Sequence, residues 1–177
     1  MQVSSSFALW SLILALPICL YAFYVDMKFK RISNMTVWAL FAVFVVVGLA
    51  SLPLMDFVWR FANYAVVFAI LLLMWMLRQM GAGDVKMAAV GALFVDRADA
   101  GDMMWIAFAS LIAATVATLI VRFTPLRKLA PDWAAWRLKP SADGVAVGKG
   151  DQMTLPMGTG IGLMLCTYLL LGAFYGQ

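Results

Sequence analysis

The sequence predicts an all-α, polytopic membrane helix bundle with six transmembrane helices. Three observations lead there. Of 177 residues, 65% are hydrophobic and 12% charged. Five runs are long and apolar enough to cross a bilayer, and the basic residues gather at one end of those runs. Soluble domains carry about 45–50% apolar and about 25% charged residues. A soluble fold of this length could not bury the excess, whereas a bilayer absorbs it. The length suits one unit, residues 1–177 as a single integral membrane domain.

A hydrocarbon core of about 30 Å requires roughly 20 apolar residues as helix. Segments near 7–25, 35–55, 57–77, 103–121 and 155–175 meet that requirement. A sixth run, Met87–Val95, is short, and a helix from 84 to 96 would cover only ~20 Å. Either the bilayer thins there or Asp84 lies below the headgroups in a wet cavity. Both place an acid where acids are costly. With six spans, Lys28, Lys30 and Arg31, then Arg78 and Lys86, then the basic residues of loop 122–153 share one side, eleven of the thirteen in all. Arg60 and Arg97 are left on the other side with Asp56, Asp96, Asp99 and Asp102. The positive-inside rule makes the basic side cytoplasmic and puts both termini outside. The first span has no basic n-region and is followed by a basic cluster, so it is read as a retained helix rather than a cleaved signal.

Loop 122–153 is interrupted by Pro125, Pro131 and Pro140. Pro131-Asp132 can start a short helix, and Trp133 and Trp136 with Arg137 and Lys139 suit a segment resting at the headgroups. Ser141–Asp151 is glycine-rich. A platform for substrate is the alternative reading of this loop.

Histidine is absent. That excludes Ser-His-Asp and Cys-His nucleophiles and any histidine-ligated metal site. Cys19 and Cys166 lie in apolar runs without a CxxC pair and read as small hydrophobes. The net charge of +4 is distributed as a topology signal rather than as a nucleic-acid surface. No metal or cofactor is expected.

Of nine acids, seven fall in predicted loops: Asp56, Asp96, Asp99, Asp102, Asp132, Asp143 and Asp151. Asp26 ends the first span, and Asp84 follows Gly81-Ala82-Gly83 at the head of the short one. The topology puts both at cytoplasmic helix ends, at similar depth. Two carboxylates a few ångströms apart do not both ionise easily, so one keeps a proton while the other is a base. Such a pair activates water against a peptide carbonyl and protonates the leaving amine. Gly81 and Gly83 can take positive φ and let a second backbone approach. Ala88, Gly91 and Val95 share the Asp84 face, and Gly158, Gly160 and Gly162 mark the last span as another close-packing helix. Lys86 lies roughly 200° around the helix from Asp84, facing lipid phosphate. Two plainer readings stay open. Asp26 can pair with Lys30 if the helix continues, and Asp84 can cap the short helix.

These residues carry a resemblance. Gly81-Ala82-Gly83-Asp84-Val85-Lys86 resembles the GxGD motif of the type IV prepilin peptidases. Asp26 through Asn34 resembles the family's first-aspartate motif, an Asp followed by a basic stretch ending in Ile-Pro-Asn. Leu155-Pro156-Met157-Gly158 resembles the Pro-Tyr-Gly start of the last span. Ser33 stands where the family usually has proline, and Met157 where it often has an aromatic. The chain lacks the N-terminal methyltransferase region with paired CxxC motifs, so it looks like the short, CpaA/TadV-like branch serving tight-adherence (Flp-type) pili. The resemblance implies an aspartic endopeptidase of the bacterial inner membrane with periplasmic termini. Its partners would be membrane lipid and a prepilin whose leader is cut after a glycine at the cytoplasmic face. Asp26 and Asp84 would be catalytic, supported by Gly81, Gly83, Lys86, Asn34, Pro156 and Gly158. Which Asp starts as base is left open, because a coupled pair titrates as a unit. A basic leader would be repelled by the basic loops, so acidic groups near the cut are a plausible recognition feature. The rival readings are a small transporter, which also uses membrane acids and a broken span, and a non-catalytic pilus or secretion assembly factor.

Overall fold

The computed structural model describes residues 1–133, 135 and 157–176. Six α-helices follow in order: α1 Ser5–Phe29, α2 Asn34–Ser51, α3 Leu54–Met76, α4 Ala82–Ala92, α5 Ala100–Phe123 and α6 Met157–Tyr175. Five of them, all but α4, are long and apolar enough to cross a membrane. The bundle is therefore all-α and polytopic, with the spans close to the predicted ones. A 3-10 turn, Pro125–Leu129, follows α5. Pro131 and Asp132 lie in a turn, and most of the segment in which a helix starting there would run lies outside the described residues. Trp136, Arg137, Lys139, Pro156 and the Ser141–Asp151 stretch lie outside the described residues.

The helices alternate in direction. At one end the Val3 amide donates to Asp99 Oδ2 at 3.1 Å, and Gly172 near the end of α6 faces Val3 and Ala8. At the other end Gly158 faces Asp26, and Gly83 faces Ile32. Both termini thus lie on one side of the bundle and both motif aspartates on the other.

Short α4 sits in the middle, packed on α2, α3 and α6. Val85, Met87, Ala89, Val90, Gly91 and Ala92 are all buried. Around it Phe7, Phe44, Phe94 and Tyr168 form the core, with Phe44 edge-on to Phe7 and Phe94 and stacked on Phe57. By contrast α3 and α5 bury little and turn leucines, isoleucines and valines outward. Apolar outward faces need no partner but lipid, because every backbone polar group is satisfied within its own helix.

A helix of eleven residues covers about 16 Å, so its last carbonyls would end at membrane depth. Arg60 of α3 answers them, donating from Nη1 to Phe94 O at 2.6 Å and to Leu93 O at 3.4 Å. A cation also suits the negative end of a helix dipole. Asn63 donates to Val95 O at 3.0 Å, and Tyr168 of α6 accepts from the Asp96 amide at 3.0 Å. Arg60 is only 3% exposed and pairs with Asp96 at 3.3 Å. Asp99, 2% exposed, accepts from the Gln2 and Val3 amides and the Tyr168 hydroxyl. Arg60 and Asp99 are thus buried charges held by backbone groups of other segments, whereas Asp96 stays part-exposed in its loop and accepts from the Ala98 amide.

Candidate active site

Asp26 lies in the last turn of α1, 4% exposed. The helix does not run on past Lys30, which takes a left-handed conformation (φ 51°) and closes it, donating its amide to Asp26 O at 2.7 Å, although the Lys30 charge still acts on the Asp26 carboxylate. The chain then turns through Ile32 and Ser33. Ser33 caps α2, its hydroxyl accepting from the Thr36 amide at 3.2 Å. Its φ of −75° lies in the range a proline ring imposes, so serine holds the same turn here by a side-chain bond.

The turn presses Ile32 between two helix starts. A Cβ on Gly83 would lie 3.1 Å from Ile32 Cβ and 3.4 Å from its carbonyl oxygen. A Cβ on Gly158 would lie 2.7 Å from Ile32 Cδ1 and 2.9 Å from Asp26 Oδ2. Ile32 therefore packs against α4 and α6 beside Asp26, and a side chain at Gly83 or Gly158 would force Ile32 or the Asp26 carboxylate to shift. The backbone that Gly83 admits is that of Ile32. Positive φ is not the reason for these glycines: Gly81 has φ −73°, and the positive-φ residues outside glycine are Lys30 and Arg78.

Asp84 occupies the third position of α4, where its carboxylate reaches back to the amide of Gly81. This is the acid half of a capping box. A Cβ on Gly81 would lie 2.7 Å from Asp84 Oδ2, so only glycine leaves room for that contact. The capping reading thus holds, and the same carboxylate also lies close enough to Asp26 for their charges to interact. Asp26 in turn faces the head of α6, where the amides of Thr159 and Gly158 point at its carboxylate. Helix N-termini favour an anion. Asp26 Oδ2 is buried and has no hydrogen-bond partner among the described residues. Asp84 is half-buried, so it is the more exposed member of the pair.

Lys86 does not point to the lipid alone, since its Nζ donates to Asn34 Oδ1 at 3.2 Å. That bond ties the start of α2 to the start of α4 across the mouth of the site. Gly91 on the Asp84 face admits no close neighbour, with nothing within 4 Å of a Cβ built there. Asp26, Asn34, Gly81, Gly83, Asp84, Lys86 and Gly158 are brought to one end of the bundle, whereas Pro156 lies outside the described residues. Two contributors escaped the sequence reading. Ile32 was visible only as part of a motif, and Thr159 only as an ordinary residue of a span. A start of α6 at Met157 is the signal that would have pointed its first amides at an anion.

Among the described residues no group of three or more Cys, Asp or Glu could hold a metal. What the arrangement offers is two carboxylates, one buried and one half-buried, held by backbone amides and glycine contacts. Residues 13–122 match the model of the type IV leader peptidase family, a stretch that includes Asp26, Asn34, Gly81, Gly83, Asp84 and Lys86 and stops before Gly158. No curated protein and no solved structure matches the chain.

Proposed function

Since the chain belongs to the type IV leader peptidase family, we propose that Asp26 and Asp84 are the catalytic pair with which it cuts its substrate. Membership makes the chain an aspartic-type membrane peptidase acting on prepilin leaders. The observation that carries the assignment of residues is that α1 and α4 bring Asp26 and Asp84 to one end of the bundle, beside Ile32 and close enough for their charges to interact.

In this reading the unprotonated member of the pair takes a proton from water, and the protonated member donates to the scissile carbonyl oxygen. The tetrahedral intermediate collapses, and the leaving amine receives the proton. Asp26 Oδ2, which no donor among the described residues engages, is the oxygen left for a shared proton. The amides of Gly158 and Thr159 hold the Asp26 carboxylate in place, and Gly81 holds that of Asp84. Lys86 and Asn34 fix the mouth.

The finer topology belongs to the same reading. The half-span α4 counts as a crossing, which makes six, with periplasmic termini and the aspartates at the cytoplasmic face of the inner membrane. The distribution of eleven of the thirteen basic residues supports that orientation. In this reading residues 1–177 hold a single peptidase domain, its substrate is a prepilin, and residues 122–153 are its cytoplasmic loop.

The test is co-expression with a cognate prepilin, read as a mobility shift. Wild type is expected to shorten the pilin, and Asp26→Asn and Asp84→Asn to leave it full length at equal membrane abundance. Full-rate processing by either variant would remove that residue from the mechanism.

A further inference from the structure

Among the described residues, a groove of about 400 Å³ lies between α1 and α5 over α6. Its far wall is small, formed by Ala113, Ala114 and Ala117 of α5, and Gly162 lies in its floor. Helix α5 packs on α6 rather than against α1. Gly160 seats it there, since a Cβ at that position would lie 2.8 Å from Leu111 Cδ2. The near rim is Leu20, 60% exposed, so the groove opens sideways toward hydrocarbon.

Its other end approaches the proposed catalytic pair. Met27, next to Asp26, and Thr159, whose amide faces the Asp26 carboxylate, both line it. That end is roofed toward water. The Trp133 ring stands edge-on to Phe23 at 6.4 Å and Tyr24 at 5.9 Å, and Ala135 packs with Met27. An occupant therefore arrives from the bilayer, presents an apolar face, and brings one end to Asp26.

We propose that this groove docks the hydrophobic helix of the membrane-anchored precursor and so delivers its scissile bond to the aspartates. The inference rests on the peptidase reading and adds where the substrate lies. Small side chains on α5 and α6 let a helix backbone come close, which is how helices associate where lipid removes the hydrophobic drive. From Leu16 to Met27 the groove follows about 16 Å of α1, or roughly three turns of a docked helix. A lipid tail would fill the same volume, but nothing about a tail requires the groove to run on to Met27 and Thr159, the two residues beside Asp26.

The experiment places the photo-cross-linking residue p-benzoylphenylalanine at Leu20, at Leu163 on the α6 rim, or at Val66, an outward position on α3. The host is the Asp84→Asn chain, in membranes containing the full-length prepilin. The uncut precursor is expected to attach at Leu20 and Leu163 but not at Val66. Attachment to phospholipid alone at the two groove positions, or equal attachment of precursor at Val66, overturns the proposal. A second variant, Ala117→Trp, fills the groove and is expected to slow processing at least tenfold, with Val66→Trp as the control that processes normally. Processing by Ala117→Trp at the wild-type rate also overturns it. If wild type cuts no precursor, the peptidase reading fails instead, and the cross-links still decide whether the groove holds the helix.

Discussion

At Gly158 a methyl group would lie 2.9 Å from Asp26 Oδ2 and 2.7 Å from Ile32 Cδ1. The isoleucine methyl is the far end of a flexible side chain and can turn away. The carboxylate can yield only by moving off the α6 amides. Gly158→Ala is therefore expected to lower prepilin cleavage at least tenfold while changing thermal stability in detergent by no more than about 1 kcal/mol. Gly81→Ala is expected to act alike through Asp84. The opposite is expected at Gly91, where a Cβ meets nothing within 4 Å. There alanine should leave cleavage intact and raise stability by about 0.5–1 kcal/mol, the usual helix-interior gain over glycine. Unequal cleavage by these variants at equal expression checks the contrast. Ser33→Pro exchanges a cap of about 1 kcal/mol for a stiffer turn of similar value, so stability and cleavage are expected to stay near wild type.

Helix α4 explains both the site and the buried charges at its far end. Because it is short, its first residue lies near one face of the bundle and its last carbonyls end inside it. Arg60 exists at 3% exposure to meet those carbonyls. Arg60→Met is expected to cost about 2–3 kcal/mol, since the Leu93 and Phe94 oxygens and Asp96 all lose their donor. Denaturation in detergent, with cleavage measured below the transition, separates this loss from any effect on catalysis. The long spans were legible because twenty apolar residues in a row have few other uses. Asp26 and Asp84 were legible because an acid at a helix end in such a chain stands out. The roles of Arg60, Asp99 and Tyr168 were not, because nothing local tells a charge at the end of a span whether water or a buried carbonyl will receive it. The same limit hid Ile32 and Thr159, which matter through contacts between helices far apart in sequence. It also let Gly91 pass for a packing glycine when no neighbour approaches it.

For the whole molecule, the bundle gathers its terminal segments at one end and Asp26 and Asp84 at the other, and the proposed orientation, drawn from the charge distribution, sets the Asp26 and Asp84 end toward the cytoplasm. Reporter fusions should follow. Alkaline phosphatase joined after Gln177 is expected to be active and green fluorescent protein there dark, with the reverse after Lys128. The central claim is that carboxylates from α1 and α4 act as one unit. Units of this kind lose nearly everything when either member goes, and little more when both do. The most direct test is leader release from a purified prepilin in proteoliposomes, followed by mass spectrometry for wild type, Asp26→Asn, Asp84→Asn and the double variant. The account predicts that each single variant falls by at least about 10²–10⁴-fold, the range of general acid–base catalysis, and that the double variant falls no further. Appreciable cleavage by either single variant, or losses that multiply in the double, would contradict it.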